Sequence, residues 1–469
     1  MPIVYSTLNH PLRVPLAAEI HSRPPIKLEA PERITHLALY GGVDMQGAGD
    51  NVAMQQRLLA MLCTHFGVTS PSGAAKYFFH DFGRFRLKWE CHTEFATYTF
   101  VASASAKPAD THETYFSHMP LADVPEEWLL SLQGKLISAN HVILERATET
   151  ALESVPKMRA LFEGNAVVSC EASHAAQVWT DFQIHPDGFG RFVVRDAGLY
   201  GMQAGRLVQR LLEIETYRMM ALMGLPHAQR SNPMLNIIES ELTRVTTAMV
   251  DMESSESTKT GNPKVDGLND VDKQQSLLDD ITGLAARLER IAVDNNYRFS
   301  ASQAYFRLVH ARIEELRERR VEGVPTIMEF MDRRLTPAMN TCSAVARRQE
   351  LLAERIANTN SLLRTRVGIV QEQQNSKILE AMNARGAQQL KLQQAVEGIS
   401  VVAISYYTIG LLSYLAKAAK SAGLDFDTDI AIGIAIPVVA ILAGLGLRRM
   451  HKNVKRAKRG KRFTDSDKI

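Results

Sequence analysis

The sequence predicts an α/β or α+β N-terminal domain with a mixed sheet, followed by an all-α region with a long stalk helix and two C-terminal apolar helices. Three observations predict this fold. Residues 33–228 alternate strand-like and helix-like segments, no strand is predicted beyond about residue 234, and two uncharged apolar stretches lie near the C-terminus. The 469 residues are enough for two or three compact units.

Strands and helices of the 33–228 domain are predicted from side-chain periodicity. In residues 84–92 apolar side chains share one face of a strand, whereas Arg84, Arg86, Lys88, Glu90 and His92 share the other. Further strands are predicted at 34–42, 95–103, 135–144, 166–170, 177–184 and 190–195, and helices at 50–66 and 203–224. The Pro-rich residues 1–32 are predicted to form an extended N-terminal arm.

The middle of the chain is predicted to be helical. Residues 229–340 form a helical region with helices at about 274–296, 300–321 and 325–335, interrupted by a polar, mobile loop at 253–273. A stalk helix follows at 341–397, about 85 Å long at roughly 1.5 Å per residue. Its apolar spacing is typical of a helix that packs against other helices, as in a coiled coil. The apolar positions are Val345, Leu352, Ile356, Leu363, Val367, Val370 and Ile378.

The C-terminal stretches 398–416 and 430–447 are predicted to be transmembrane helices 1 and 2, joined by an outer loop at 417–429. They are free of charge over 19 and 18 residues, close to the roughly 20 apolar residues that cross a bilayer. The alternative is a pair of buried core helices. The basic tail 448–469 has ten Lys or Arg and two Asp, a net charge of 10 − 2 = +8, and it makes that alternative the weaker one.

The charges flanking these helices predict the topology. The positive-inside rule places the tail, and with it the N-terminal residues, in the cytoplasm, and the loop 417–429 outside. Four scattered cysteines without a CxxC motif agree with a reducing compartment. Anionic lipid of the inner leaflet is the expected partner of the basic tail, and nucleic acid is not expected. The lipid-binding residues are Arg448, Arg449, Lys452, Lys455, Arg456, Lys458 and Arg459.

Polar side chains distinguish the first apolar helix from a plain anchor. Such residues at membrane depth face another helix or a water-filled path. The sequence therefore leaves two interpretations open, which are helix packing within a homo-oligomer and the lining of a pore. The residues concerned are Ser405, Thr408, Ser413, Tyr406 and Tyr407.

One cluster of residues has the composition of a metal site. Glu90, His92 and Glu94 follow one another at strand spacing, and His21 of the N-terminal arm could approach them to bind a divalent cation. The alternatives are a solvent-exposed strand face with a Lys88–Glu90 ion pair, and a catalytic acid/base site. The chain contains no GxxxxGK[ST], GxSxG or HExxH motif, so enzymatic activity is left open.

Several segments resemble a bacterial family of uncharacterised membrane-anchored proteins, a domain-of-unknown-function family. They cover nearly the whole chain, and the resemblance implies a membrane location without assigning an activity. The segments are NHPLRVPLAAEIHSRPP (9–25), LKWECHTEFATYTF (87–100), GRLVQRLLEIETYRMMALMGLP (205–226), NTNSLLRTRV (358–367) and VEGISVVAISYYTIGLLSYLAK (396–417).

The predicted order of elements also resembles the CorA-type metal transporters, which are funnel-shaped homopentamers. The Gly-Met-Asn motif of those transporters is absent, and Gly410-Leu411-Leu412 stands near that point of the chain. The resemblance implies a homo-oligomeric ion channel or transporter without implying magnesium selectivity. Two alternatives stay open. One is a non-transporting scaffold or sensor whose cytosolic domain binds a ligand or partner, and the other is a tethered enzyme that uses Glu90, His92 and Glu94.

Overall fold

The fold is known from a computed structural model. It describes residues 8–14, 16–17, 23–41, 48–73, 75–104, 115–132, 134–163, 165, 167–173, 175–256, 266–421 and 428–460. The chain forms two compact units. We call residues 1–262 and 276–361 the sheet unit, and residues 263–275 and 362–469 the helical unit.

A nine-stranded mixed sheet forms the centre of the sheet unit, as the sequence predicts. Its strand order is β2-β3-β4-β1-β5-β8-β7-β6-β9, in which β5 and β8 pair in parallel and the other neighbours are antiparallel. The strands are β1 Glu32–Tyr40, β2 Tyr77–Asp81, β3 Arg86–Cys91, β4 Phe95–Ser103, β5 Leu136–Arg146, β6 Val168–Ala172, β7 Ala176–Thr180, β8 Gly190–Asp196 and β9 Glu318–Arg320.

Helices account for most of the remaining described residues. Two of them begin at threonines whose hydroxyls accept the backbone N–H of a glutamate three residues on, Thr150 from Glu153 and Thr326 from Glu329. These capping boxes fix where the helices begin. The helices are α1 Ala48–His65, α2 Glu126–Leu130, α3 Ala151–Leu161, α4 Gly201–Leu222, α5 Gly224–Glu256, α6 Asp266–Leu316, α7 Ile327–Arg334, α8 Thr336–Ser421 and α9 Thr428–Gly460.

The apolar face predicted for residues 84–92 lies in the larger hydrophobic core. Leu87 and Trp89 of β3 are fully buried there beside Tyr98 of β4 and Leu62 of α1. The indole N–H of Trp128 in α2 donates to the carbonyl oxygen of Leu58, 2.8 Å away, so the core buries this polar group with a partner. The alternation of residues 84–92 therefore predicted the strand and its apolar face correctly.

The helical region differs from its prediction in three ways. Helix α5 continues to Glu256 and α6 begins at Asp266, so both ends of the predicted loop 253–273 are helical, and residues 257–265 lie outside the described residues. Helix α6 replaces two predicted helices, because no glycine or proline separates 296 from 300. Strand β9 lies at the end of the predicted helix 300–321 and was not predicted, because three residues are too few to show alternation. In the 33–228 domain, strand β2 was not predicted either.

The first turns of α8 pack within the sheet unit. Val345, Leu352 and Ile356 are 4%, 1% and 3% exposed, which confirms that this part of the predicted apolar stripe packs against other helices. Arg348 and Arg355 both pair with Glu239 of α5. The stripe is no longer covered at Ile378, which is 57% exposed.

The helical unit contains the apolar stretches of the sequence. The helical stretch Ile327–Ala419, which spans α7 and most of α8, is long and apolar enough to cross a membrane, by length and composition, with a mean hydropathy of 1.6 over its best window. A shorter apolar helix is Ile432–Gly446. Helix α8 continues to Ser421 and α9 begins at Thr428, which leaves fewer residues between the helices than the predicted loop 417–429. Helix α9 also continues through the basic residues as far as Gly460.

Candidate functional site: a buried polar cavity

Polar side chains line one face of three neighbouring strands in the sheet unit. Lys88 of β3 lies opposite Thr99 of β4, and Thr99 lies opposite His36 of β1. Glu90 lies opposite Thr97 in the next row. Because side chains alternate between the faces of a strand, these five residues point to the same side of the sheet.

Helix α4 covers this polar face. Gln209, Glu213 and Thr216 recur at a spacing of four and three residues, which places them on one side of the helix, above the strands. Lys88 and Glu90 are consequently 3% and 8% exposed. The expectation of a solvent-exposed strand face is therefore wrong, because the tertiary structure places a helix over it.

The charges beneath α4 have partners. Lys88 Nζ lies 3.1 Å from Glu90 Oε1 and donates to Gln209 Oε1 at 3.0 Å. Gln209 Nε2 in turn donates to Glu213 Oε1 at 2.8 Å, and Arg312 of α6 donates to the other oxygen of Glu213. A buried charge is tolerated when it is paired and hydrogen-bonded, which is what this chain of contacts provides. The predicted Lys88–Glu90 pair is confirmed, although it is buried.

Burial keeps His36 uncharged within this network. Its Nδ1 lies 2.9 Å from Thr99 Oγ1 and its Nε2 lies 3.4 Å from Thr216 Oγ1. Burial lowers the pKa of His36 to about 3, and the positive charge of Lys88 acts in the same direction. Burial also raises the pKa of Glu90, against the opposing effect of Lys88.

Residues 23–31, which we call the strap, close one side of the site. The backbone N–H of Leu28 donates to the carbonyl oxygen of Gly201, 3.2 Å away. A Cβ added at Gly205 would overlap the carbonyl oxygen of Ile26, so glycine is required for helix α4 and the strap to lie this close. Ile26 and Leu28 thereby become part of the wall.

The strands, α4 and the strap enclose a cavity of about 40 Å³. This volume accommodates roughly three waters or a ligand of a few non-hydrogen atoms. The hydroxyl of Thr97 lies in its wall, is buried, and has no hydrogen-bond partner within the part of the chain that the structure describes. The less buried edge of the cavity is formed by His92 and Glu213.

Of the residues predicted to bind a metal ion, Glu90 and His92 line the cavity and Glu94 does not. Glu94 pairs with Arg298 of α6 at 2.8 Å, with the two side chains 3% and 6% exposed. His92 stacks on Phe95 with ring centroids 4.5 Å apart. His21 lies outside the described residues. Within the described ranges no group of three His, Cys, Asp or Glu is arranged to hold a metal ion.

Sequence reasoning missed the cavity itself. It identified Glu90 and His92 but not Lys88, Thr97 and His36 as members of one site, because strand pairing and register bring these together. Gln209, Glu213 and Thr216 were a usable signal, since polar residues repeated at helical spacing beside an apolar stripe can indicate a helix that covers polar groups.

The polar residues of the first apolar helix have different environments. Ser405 is 9% exposed, and its hydroxyl has no partner among the residues that the structure describes. Thr408 donates to the carbonyl oxygen of Ile404, 2.7 Å away. Tyr406 and Tyr407 are 75% and 72% exposed, and Ser413 is half-buried. Whether these residues line a pore or pack between helices stays a prediction.

The predicted lipid-binding residues lie on the last turns of α9. For residues 448–460 the structure describes the helical backbone and not the side chains. Contact of these residues with anionic lipid therefore stays a prediction. The residues are Arg448, Arg449, Lys452, Lys455, Arg456, Lys458 and Arg459.

Fold and site together define a protein with a mixed-sheet domain that encloses a polar cavity, followed by long helices with apolar C-terminal segments. The chain belongs to the family described as "Protein of unknown function (DUF3422)", whose model matches residues 8–454. This match confirms the resemblance of the sequence to an uncharacterised family.

Two further comparisons add little about function. No curated protein sequence matches the chain. A solved structure described as "structure of the full-length CmaX protein" is similar at 11% identity, over 67% of this chain and 89% of that chain, with a TM-score of 0.13. That score is too low to support an argument about fold or function.

Proposed function

We propose that the chain is a homo-oligomeric ion channel or transporter of the bacterial inner membrane, with a build like that of the CorA-type proteins. Residues 398–416 and 430–447 cross the membrane in this proposal, and both chain ends lie in the cytoplasm. The observation that carries the proposal is the exposed apolar surface of α8, which begins before the first span and continues through it.

The exposed apolar residues fall into two groups. Ile399, Val402 and Leu411, which are 71%, 70% and 66% exposed, lie within the first span and would contact lipid. Ile378, Met382 and the other residues of the second group precede the span, where lipid cannot cover them. An apolar surface of this extent on a soluble segment marks a protein interface. The second group is Ile378, Leu379, Met382, Leu390, Leu392 and Val396, which are 57–72% exposed.

The spacing of the second group favours other copies of α8 as partners. Ile378 and Leu392 are two heptads apart, and so are Met382 and Val396. Arg385 and Gln389 occupy the heptad positions between them, so the pattern is an interrupted heptad repeat that keeps the four apolar side chains on one side of the helix, where a neighbouring helix can cover them. The proposal also requires Ser405 and Thr408 of each copy to face a common axis, as in a conducting path. At about 100° per residue these two side chains lie on a different side of α8 from Ile378 and Val396, so the path is not a straight continuation of that interface.

The oligomeric state of the full-length protein in mild detergent tests the assembly. We expect a single oligomer of three or more copies in light scattering that corrects for bound detergent. Replacing both Met382 and Val396 by Glu should dissociate it, because like charges would meet at the interface. The matched control replaces Glu354 and Glu372 by Gln, and should leave the oligomer intact. A monomeric wild-type protein would overturn the proposal.

The reactivity of cysteines placed in the first span tests whether a water-filled conducting path exists there. Cys63, Cys91, Cys170 and Cys342 are all buried, so a cysteine placed in the span is measured against a low background. We expect Ser405→Cys and Ser413→Cys to react with a membrane-impermeant thiol reagent in proteoliposomes, and the lipid-facing control Leu411→Cys to stay unreacted. Dye-reported ion flux should fall on modification. Equal reactivity at the three positions would contradict a lined path.

A second candidate function is a membrane-anchored sensor, which the buried polar cavity of the sheet unit favours. A scaffold alone would not need a cavity with an unpartnered hydroxyl and a buried ion pair. The sensor hypothesis treats the two apolar helices as a replaceable anchor. If it holds, a protein whose apolar helices are exchanged for an unrelated two-span anchor should restore the wild-type phenotype to a strain that lacks the gene. A channel would lose its function on the same exchange.

A further inference from the structure

The polar cavity has two chemically different walls. Thr99 and His36 face each other across β4 and β1, and in the next row on the same side of the sheet Val101 faces Ile34. One wall therefore offers polar groups, and the adjoining wall offers hydrocarbon. A molecule with a polar head and a short apolar part is complementary to such a pair of walls.

Hydrogen-bond donors at the polar wall are not all used. Thr97 is 5% exposed, and its hydroxyl has no partner among the described residues. An ammonium group has three N–H donors, and Lys88 makes two contacts within the described residues, to Glu90 and Gln209. Lys88 and Thr97 are diagonal neighbours on β3 and β4, a spacing that a long side chain such as lysine spans. A carbonyl oxygen between them would accept from both, and would recover the free energy that an unpartnered buried hydroxyl costs.

The charged groups that line the cavity are already paired within the protein. Glu90 and Glu213 are negative and Lys88 is positive, and burial lowers the pKa of His92 to about 3, so that His92 adds no charge at neutral pH. Glu90 lies 3.1 Å from Lys88, and Glu213 pairs with Arg312 of α6. An anion in the cavity would meet the two carboxylates, and a cation would meet the ammonium group. An uncharged ligand avoids both repulsions and leaves each ion pair intact.

Walls, donors and charges together define a class of ligand. We propose that this cavity binds a small uncharged carbonyl compound, such as a short-chain amide, whose carbonyl oxygen accepts hydrogen bonds from Thr97 and Lys88 and whose hydrocarbon part contacts Ile34 and Val101. The volume of about 40 Å³ suits a molecule of a few non-hydrogen atoms, which enters at the less buried edge of the cavity. The proposal goes beyond the proposed function and does not depend on ion conduction.

Binding of propionamide to the full-length protein in detergent tests the proposal. Saturation-transfer NMR detects the weak binding that so small a ligand gives, and we expect a saturable signal with a Kd of about 1 mM. Propionate and propionamidinium have the shape of propionamide with one negative or one positive charge. At constant ionic strength each should bind about 10-fold more weakly, because each meets a like charge. Empty micelles of the same detergent are the blank.

The three probes give outcomes that separate the alternatives without any change to the protein. Propionate that binds as tightly as propionamide, or propionamidinium that does so, would overturn the choice of an uncharged ligand. No saturable propionamide signal above that of the empty micelles would overturn the proposal as a whole.

The variant Thr97→Val locates the binding. Valine has the shape of threonine without its hydroxyl, and since that hydroxyl has no partner among the described residues, the variant should fold normally. We expect the propionamide Kd to rise about 5-fold, as for one lost hydrogen bond between uncharged groups. The control Thr64→Val, on the exposed side of α1, should leave the Kd unchanged. An unchanged propionamide Kd in Thr97→Val would overturn the assignment of the ligand to this cavity.

Discussion

The sheet unit and the helical unit place their polar and apolar side chains in opposite environments. In the sheet unit charged groups such as Lys88 and Glu94 are nearly inaccessible and paired, and apolar groups fill the core beside them. In the helical unit apolar groups such as Val402 are exposed, while the hydroxyl of Ser405 is buried. The difference teaches that the described part of the sheet unit covers most of its apolar side chains itself, whereas the described part of the helical unit leaves many of them exposed. The proposed function assigns those exposed side chains to lipid or to further copies of the chain.

Breaking the buried ion pair between Glu94 and Arg298 is expected to have the largest effect on the stability of the sheet unit. Arg298→Met should lower the free energy of unfolding by about 3–5 kcal/mol, because it leaves a buried carboxylate without its partner. Thermal or denaturant unfolding followed by tryptophan fluorescence measures this, since Trp89, Trp128 and Trp179 all belong to the sheet unit.

Two controls accompany this prediction. The double variant Glu94→Leu/Arg298→Met should lose much less, because no unpaired charge remains. Arg287→Met removes an ion pair to Glu241 whose side chains are 52% and 34% exposed, and should cost less than about 1 kcal/mol. If Arg298→Met and Arg287→Met had equal effects, pairing of buried charge would not be what distinguishes the sheet unit.

The contact between α4 and the strap gives the next largest effect. Gly205→Ala should destabilise the sheet unit by about 3 kcal/mol, the upper end for overpacking, because the added methyl group would overlap the Ile26 carbonyl. The control Gly283→Ala lies in α6 with open space around it, and should stabilise by up to about 1 kcal/mol. A neutral Gly205→Ala variant would show that the strap is not held against α4.

The uncharged state of His36 makes the stability of the sheet unit depend on pH. Its pKa is about 3 when folded and 6.5 ordinarily, so below pH 6.5 the unfolded chain takes up a proton that the folded protein does not. Stability present at pH 7 should thus fall as the pH falls, by about 2 kcal/mol at pH 5 for this residue.

The variant His36→Gln separates this effect from the titration of other groups. Lys88, His92, Thr99 and Thr216 surround the ring and are unchanged in the variant. Comparing wild type and variant between pH 7 and pH 5, by tryptophan fluorescence in urea, should show a shallower decline for the variant. Equal declines in wild type and variant would mean that His36 takes up its proton as readily in the folded protein as in the unfolded chain.

The smallest expected effect concerns the helical unit. Ser405→Ala should weaken self-association by about 0.6 kcal/mol, the average for a hydrogen bond between helices in a membrane. Thr408→Val should have less effect, because the Thr408 hydroxyl already donates to Ile404 within its own helix. Energy transfer between labelled copies, measured during detergent dilution, would detect both. A larger effect at Thr408 would contradict the placement of Ser405 between helices.

Much of the fold could be predicted from local pattern. The strict alternation of residues 84–92 predicted β3, and the repeated apolar residues of 203–224 predicted α4, because each pattern reflects the geometry of its own element. The short strand β9 and the continuity of α6 could not be predicted, since pairing with β6 defines the first and helix packing stabilises the second.

The candidate site was predicted less well than the fold. The sequence places Glu90, His92 and Glu94 within five residues, which suggested one metal site, yet Glu94 pairs with Arg298 more than two hundred positions away. Proximity along the chain was misleading because the turn after β3 places Glu94 beside α6, away from the face that carries Glu90.

By itself, the sequence determined most of the strands, though not β2 and β9, as well as which segments are apolar enough to enter a membrane and where the basic residues lie. These properties depend on the order and chemistry of neighbouring residues. Only the tertiary structure decided that the polar face of β3 and β4 is buried, that α4 and the strap close it, and that Lys88, Thr97 and His36 share one cavity. The physical reason is that burial depends on which elements meet, and here sheet register and one glycine contact bring them together.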